Sequence, residues 1–517
     1  MQRPIRSLPF LTTALGLSFG TTQAFADTLS RVAAPRGSWI PSGLVARVQD
    51  SAFQIAAEEL EPILGDELEA EILSINNMEI FDEGCWIAYT AYIDHVDWVT
   101  FDQPILAIDS RANSVFASFE ITNLEMQFVL DGKGALCLDT YDCTSVITID
   151  RVVAEGQGSI DVVGGHAKTT MNWVNASIEG YQYDTEYWCF IIDIIADILQ
   201  ESLEDELELM VEESLWVDIP ENIDEFFLDL EIETDFSVFD VPFGMDLRPD
   251  AIVENSSGVT MSEEGRIYSR TAPCGPQVDE FLYTPNTPPA FGATIPGTND
   301  PYDFAVSISD DALNEFLYSG FDSGAFCIVL DENSEEIYGV PWDFTTTDLQ
   351  LFFPELYAIA PDAETGVTMV PRAAPYTVIG ETTGVLVGQL EMFLQETELT
   401  LWVDIDGTPT RALVVAVTAD ADFLVRVRLD GLLKLLMSDY FESTIVIEEE
   451  PLVDLNDPII EMVLPFLLKQ IVPLIFLTLD AFKVPLIYGF EITPAAVIND
   501  GVNEDYLSFY STIAPTE

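Results

Sequence analysis

His95 and His166 are the two histidines of this 517-residue chain, and they limit the chemistry it can do. A three-histidine zinc site needs one more imidazole. A serine hydrolase needs its nucleophile on a G-x-S-x-G turn, and Gly320-Phe321-Asp322-Ser323-Gly324 has the wrong spacing. His166 follows Gly164-Gly165 in a turn, and His95 sits in Asp94-His95-Val96-Asp97, read as a strand edge. Asp404-Ile405-Asp406-Gly407 opens like a calcium loop but is too short and lacks the later ligands. With 90 Asp and Glu against 19 Lys and Arg, a close carboxylate pair says nothing about catalysis. These residue types compose no catalytic site, no metal site and no cofactor site, so the expectation is a protein that is not an enzyme.

Six cysteines remain: Cys85, Cys137, Cys143, Cys189, Cys274 and Cys327. No C-x-x-C pair occurs among them. In an exported chain this set favours disulfides over metal binding, and six cysteines allow 15 connectivities. Export is read from the N-terminus. Arg3 and Arg6 form a basic start, Phe10 to Phe19 an apolar stretch, and Ala24-Phe25-Ala26 a small-residue cleavage site. The signal segment is therefore 1–26, and the mature chain is secreted or periplasmic.

The formal net charge is −71 while 48% of residues are hydrophobic. That combination describes much apolar interior inside a carboxylate coat. Such a coat repels nucleic acids and anionic membrane surfaces, and it suits a salty environment. The length is too great for one core.

The elements that would position these residues follow from periodicity. A first helix is expected over about Ser42 to Leu64, with Leu44, Val48, Ala52, Ala56, Leu60 and Leu64 at i+4 and Val45 beside them. Alternation over Ser118 to Leu130 slips at Asn123, which reads as a β-bulge. A second long helix starts near Tyr187, with Ile191, Ile195, Leu199, Leu203, Leu207, Val211 and Leu215 at i+4. Residues 271–301 hold seven prolines and mark the division of the chain. Beyond them come a short helix capped by Ser309 with Leu313, Phe316 and Leu317 on one face, and strands meeting at Asp406-Gly407. Pro458 to Leu479 reads as a buried, kinked helix rather than a membrane span. Glu461, Lys469 and Gln470 fall inside it, and Pro465 and Pro473 interrupt it.

This order of elements resembles the bactericidal/permeability-increasing protein class of the tubular lipid-binding (TULIP) superfamily. The residues that bear the likeness are Gly43-Leu44-Val45-Ala46-Arg47-Val48, then Cys143 and Cys189 around a strand run. They continue with Asp303 to Asp310 leading to Asn314, then Val472-Pro473, Phe482 to Leu486, Asn499 and Tyr506-Leu507. The resemblance implies an α+β fold of two elongated barrels, each a twisted antiparallel sheet wrapped on a long helix, joined by a central sheet. Residues 27–270 would form one barrel, 271–301 a crossing segment and 302–517 the other. It also implies a Cys143–Cys189 bridge, although Cys137 or Cys85 would serve as partners for Cys143 as well. Pairing Cys274 with Cys327 would staple the crossing segment to the second barrel.

The function implied is binding or transfer of phospholipid or another acyl lipid. Each buried CH₂ contributes about 0.8 kcal/mol, so two long chains supply on the order of 20 kcal/mol gross, much of it offset by extraction from a bilayer. The lining residues expected are Val45, Val48, Ala52, Ile191, Ile195 and Leu199 in the first barrel. In the second they are Leu313, Leu317, Ile460, Leu464 and Leu467. Peripheral membrane contact is compatible with this reading. The alternative is an acidic extracellular interaction protein on the same scaffold, binding a basic partner or calcium without transferring lipid. Lipopolysaccharide binding fits less well, because the chain lacks clustered bases to pair phosphates.

Overall fold

The computed structural model describes residues 32–515, apart from 36–37, 83–89, 134–139, 186–191, 229–232, 240, 270, 272–273, 277–279, 284–286, 339–341, 381–387, 428–432 and 454–489. Three large antiparallel sheets dominate it. The first holds strands Asn76–Asp82, Thr90–Thr100, Ser114–Lys133, Thr140–Val163 and His166–Glu179 in that spatial order. Ile105–Arg111 pairs with the first half of Ser114–Lys133, and Gln182–Thr185 with Thr140–Val163. Another runs Ile328–Leu330, Thr365–Pro371, Gly388–Ile405, Thr408–Val427, Leu433–Glu449, with Tyr376–Ile379 beside Gly388–Ile405.

Between them lies a seven-stranded sheet built from both ends of the chain. Its order is Glu233–Val238, Val241–Asn255, Gly258–Ser269, Ile40–Gln49, Phe304–Ser309, Tyr506–Pro515, Phe490–Asp500. The two halves of the sequence meet where Ile40–Gln49 pairs with Phe304–Ser309, Val45 opposite Ser307 and Val48 opposite Phe304.

That central strand corrects the helix expected from Ser42. Residues 40–49 are strand, and the helix is Asp50–Ser74. The reason is burial on both faces. Leu44, Ala46 and Val48 join the main core, while Val45, Arg47 and Gln49 alternate onto the other side and are also buried. A strand covered on both faces loses its two-residue period and becomes a continuous apolar run, which periodicity cannot separate from a buried helix.

Asn123 brings a second correction. Thr122 pairs with Arg151 and Leu124 with Ile149, so no residue is inserted. Instead Asn123 takes φ 53°, a left-handed kink that turns both Ile121 and Leu124 inward. The partner strand matches it with Ile149 and Val152. Asn and Asp tolerate this backbone because their short polar side chains bond locally; here the Asn123 amide and the Thr122 hydroxyl donate to Asp102 at 2.5 and 3.0 Å.

The second long helix runs Ile192–Glu213, passes through a π turn at Ser214–Asp218 and continues as Ile219–Leu228. Leu203, Leu207, Val211, Leu215, Ile219, Ile223 and Phe227 are all buried, a strict i+4 ladder. At 3.6 residues per turn such a ladder drifts about 40° per step. The wider π turn takes up part of that drift and returns the stripe to the sheet.

Candidate functional site

The two outer sheets turn apolar inner faces to the core. On the first, Ile93, Phe119, Met126, Phe128, Ile147 and Ile149 are buried against the two long helices. Ala52, Phe53, Ala57, Leu64, Leu68 and Ile72 supply the face of Asp50–Ser74. On the other, Leu390, Met392 and Leu394 alternate along one strand and Ala419, Ala421, Phe423 and Val425 along its neighbour. The strands carrying these residues are long, and bulges between Leu394 and Thr397 and between Ala421 and Phe423 bend them.

Where the central sheet meets the helix Asp310–Asp322, a small cleft leaves room for about one water molecule. Leu44 and Ile308 come from the two strands that join the halves, Met245, Leu247 and Ile267 from the strands beside them, and Ala312 and Glu315 from the helix. Gly43 and Gly265 lie in its wall, and a Cβ on Gly43 would meet that of Ala312 at 3.6 Å, an ordinary contact. Ser309 caps the helix, its hydroxyl accepting from the Ala312 N–H at 3.1 Å.

Glu315 is 2% exposed in this apolar setting. Burial pushes its carboxyl well above the usual carboxylate range, and an Ile267 backbone N–H and the Arg266 charge counteract only part of that. Its Oε1 has no hydrogen-bond partner. Arg266 lies at the same cleft, with its Nε 2.7 Å from Asp246 and its guanidinium 4.6 Å over the Trp39 ring. Arg248 covers the same ring at 3.9 Å and donates to Glu264 at 2.6 Å.

A polar layer occupies the other face of the central sheet. Arg47 is fully buried, and neutral oxygens receive its guanidinium: Thr260 at 3.0 Å, Asn255 at 2.9 Å and Ser257 at 2.7 Å. Desolvation lowers its pKa, opposed by the nearby Tyr302 and Asp50. Gln49 and Tyr302 both donate to the Gly292 carbonyl, at 2.7 and 2.8 Å. Burial pushes the Tyr302 phenol up to about 12. Tyr302 meets Tyr510 edge-on at 4.8 Å, and Phe291 and Ile295 of the proline-rich segment lie over the pair. This segment therefore covers the sheet, and Cys274 within it is bridged to Cys327 just beyond the helix.

The sequence-derived residues divide as follows. Val45 and Val48 lie in the central sheet, on opposite faces of one strand. Ala52 is on the first helix and Leu313 and Leu317 on Asp310–Asp322, all buried in the core. Ile195 and Leu199 fall on Ile192–Glu213. Ile191, Ile460, Leu464, Leu467 and Cys189 lie outside the described residues, as do Cys85 and Cys137. Cys143 is disulfide-bonded. Glu315 was not singled out from the sequence; a lone carboxylate on the apolar face Leu313–Phe316–Leu317 was the available signal.

His95 is not at a sheet edge. Its strand lies between Asn76–Asp82 and Ser114–Lys133, with register shifts on either side of it. The imidazole is half exposed, with Asp94 at 2.8 Å and Asp97 at 3.1 Å, and the Asp94 hydrogen bond raises its pKa. Asn314 and Asn499 act as clamps between elements. Asn314 accepts from the Thr377 N–H at 2.6 Å and donates to its carbonyl at 3.0 Å; Asn499 accepts from the Gln389 N–H at 3.2 Å and donates to Gly380.

No family model matches the chain, and no curated protein matches it. Among solved structures it is similar to a lipopolysaccharide binding protein, with a TM-score of 0.51 at 12% identity over 92% of this chain and 100% of that one. The two chains share a fold. Alignments to P47 of Clostridium botulinum E1 (TM-score 0.26, 9% identity, 92% of this chain and 100% of that one) and to Takeout 1 of Epiphyas postvittana (TM-score 0.21, 12% identity, 35% and 90%) are too weak to bear on the architecture.

Proposed function

We propose that this chain is an exported lipid-binding and lipid-transfer protein of the bactericidal/permeability-increasing class, holding acyl chains in the apolar interiors of two elongated barrels, 27–270 and 302–517. The observation that supports it best is the pair of long, bent sheets whose inner faces are largely apolar, in a TULIP-like fold. Apolar walls take the place of the bilayer interior and keep an extracted lipid's chains out of water, so no strong polar anchor is needed. Ala52, Leu313 and Leu317 are proposed as lining residues, with Val48 at the junction.

Recognition of a phosphorylated glycolipid through bases is disfavoured. Arg151, Lys168, Arg248, Arg266 and Arg372 are each engaged by a carboxylate within 3 Å. A second reading, an acidic scaffold for a basic partner, is favoured by one surface. Ile337, Phe344, Leu351 and Ile359 are exposed on a segment where residues 331–364 contain no Lys or Arg.

The test is uptake. Delipidated full-length protein is incubated with phosphatidylcholine vesicles, separated and extracted. Recovery of one or two lipids per chain supports the carrier. No uptake of any long-chain amphiphile sinks it and favours the scaffold.

A further inference from the structure

We propose that the solvent face of the second long helix at its π turn, where Leu209, Trp216 and Val217 stand exposed, is the surface by which this chain docks onto a zwitterionic lipid bilayer. This rests on the lipid-transfer reading and adds to it the place of contact and the class of membrane.

The helix fixes where these side chains point. Leu207 and Leu215 belong to the buried ladder. Leu209 and Val217 each stand two residues beyond one of them, about half a turn round the helix, and so face away from the core. Trp216 lies beside Val217. The three are 57%, 50% and 41% exposed in chain order, so apolar side chains occupy a face that amphipathic patterning assigns to polar ones. Trp216 and Val217 emerge together at the π turn Ser214–Asp218. A second exposed tryptophan stands level with that turn. The Ala176 N–H donates to Glu212 at 3.2 Å and the Thr169 N–H to Asp224 at 2.5 Å. These two bonds bracket the π turn on the helix and Trp173 on the strand, and Trp173 is also exposed.

Size and charge say what seats on this face. A few side chains cannot form a stable protein interface, which takes about 20–30 residues a side. They suffice for weak, reversible seating at a bilayer surface, where Trp is favoured because its ring is apolar and its N–H stays wet. A protein that delivers lipid must also leave the membrane, so weak seating suits transfer. Charge selects the bilayer. Residues 192–228 contain no Lys or Arg, and Glu213 and Glu221 are exposed on either side of the Trp216–Val217 pair. An anionic headgroup layer would be repelled. A phosphatidylcholine surface presents quaternary ammonium cations, which attract carboxylates and seat on the faces of Trp rings.

The experiment floats full-length protein with vesicles of phosphatidylcholine, and with vesicles that also contain phosphatidylserine, at one ionic strength. In parallel, lipid content is measured after loading from detergent solution, without vesicles. The variant is Trp216→Ser combined with Val217→Ser, two exposed positions at which substitution leaves the fold intact. The expected result is that the parent floats with phosphatidylcholine vesicles and less with the anionic ones. The variant's partition onto phosphatidylcholine falls about tenfold, and its lipid content after loading equals the parent's. Unchanged flotation of the variant, or equal flotation of the parent on anionic vesicles, overturns the inference. So does a parent that self-associates through this pair and does not float, which would assign the face to a second copy. A parent that loads lipid but never floats overturns the docking surface and leaves the carrier standing. A parent that floats through this pair but takes up no lipid overturns the carrier reading alone.

Discussion

At the scale of single residues, the acidic side chains are more than a coat. Asp50 accepts from the Ser110 N–H at 2.9 Å, Glu254 from Ile160 at 2.7 Å and Asp224 from Thr169 at 2.5 Å, so carboxylates fasten one element's backbone to another's. Glu315 works differently, a carboxyl raised by burial with only partial compensation. Its contribution to stability has a definite sign. The folded chain keeps the proton to higher pH than the unfolded chain, so the unfolded state is favoured increasingly as pH rises above the ordinary glutamate value of 4.5, until the folded group ionises. The Ile267 N–H and the Arg266 charge work against the shift, and Asp311 adds to it. Glu315→Gln should therefore melt at higher temperature than the parent at pH 7.5, with the gap closing toward pH 4.5. A gap that is constant with pH, or reversed, would show that this carboxyl is solvated. The sequence offers only the place of Glu315 on the apolar face Leu313–Phe316–Leu317, and among 90 acids that placement does not announce burial. The Ser309 cap was legible, since capping depends on a residue type at a fixed local position.

At the scale of elements, local periodicity foretold the second long helix, the Asp406-Gly407 hairpin and the helix after Ser309. It failed at Ile40–Gln49 and at Asn123, where the deciding facts are non-local: a second layer over the central sheet, and a kink matched across two strands. Helix burial gives a measurable cost. Leu207 is 2% exposed in the middle of the i+4 ladder, and Leu207→Ala should destabilise by about 2–5 kcal/mol in urea unfolding, while Leu209→Ala, 57% exposed on the same helix, should change little. Similar costs at the two positions would contradict the assigned face. The Cys274–Cys327 bridge closes a separation of 53 residues, which loop entropy values at about 4 kcal/mol. Its double serine variant should lose stability of that order. It should also expose the segment over Tyr302 and Tyr510 to proteolysis; an unchanged midpoint and cleavage pattern would mean the crossing segment is held by its packing alone.

At the scale of the whole molecule, a charge of −71 on one chain sets a repulsion that salt must relieve. The screening length falls from about 10 Å at 0.1 M to about 3 Å at 1 M. The melting temperature should rise with sodium chloride over that range, and a flat or falling trend would show that ion pairing compensates the charge. Under the proposed function, the same charge disfavours anionic surfaces, so neutral bilayers are the expected donors and acceptors. Among the described residues no helix is long and apolar enough to cross a membrane, and the apolar material lies in sheet interiors and helix faces. Whether those interiors hold lipid is decided most directly by native mass spectrometry of the full chain purified in high salt without detergent, with lipid extraction of the same sample. One or two acyl lipids per chain, released on unfolding, is the result this account predicts. A bare protein mass that stays bare after incubation with a mixed lipid extract would contradict it.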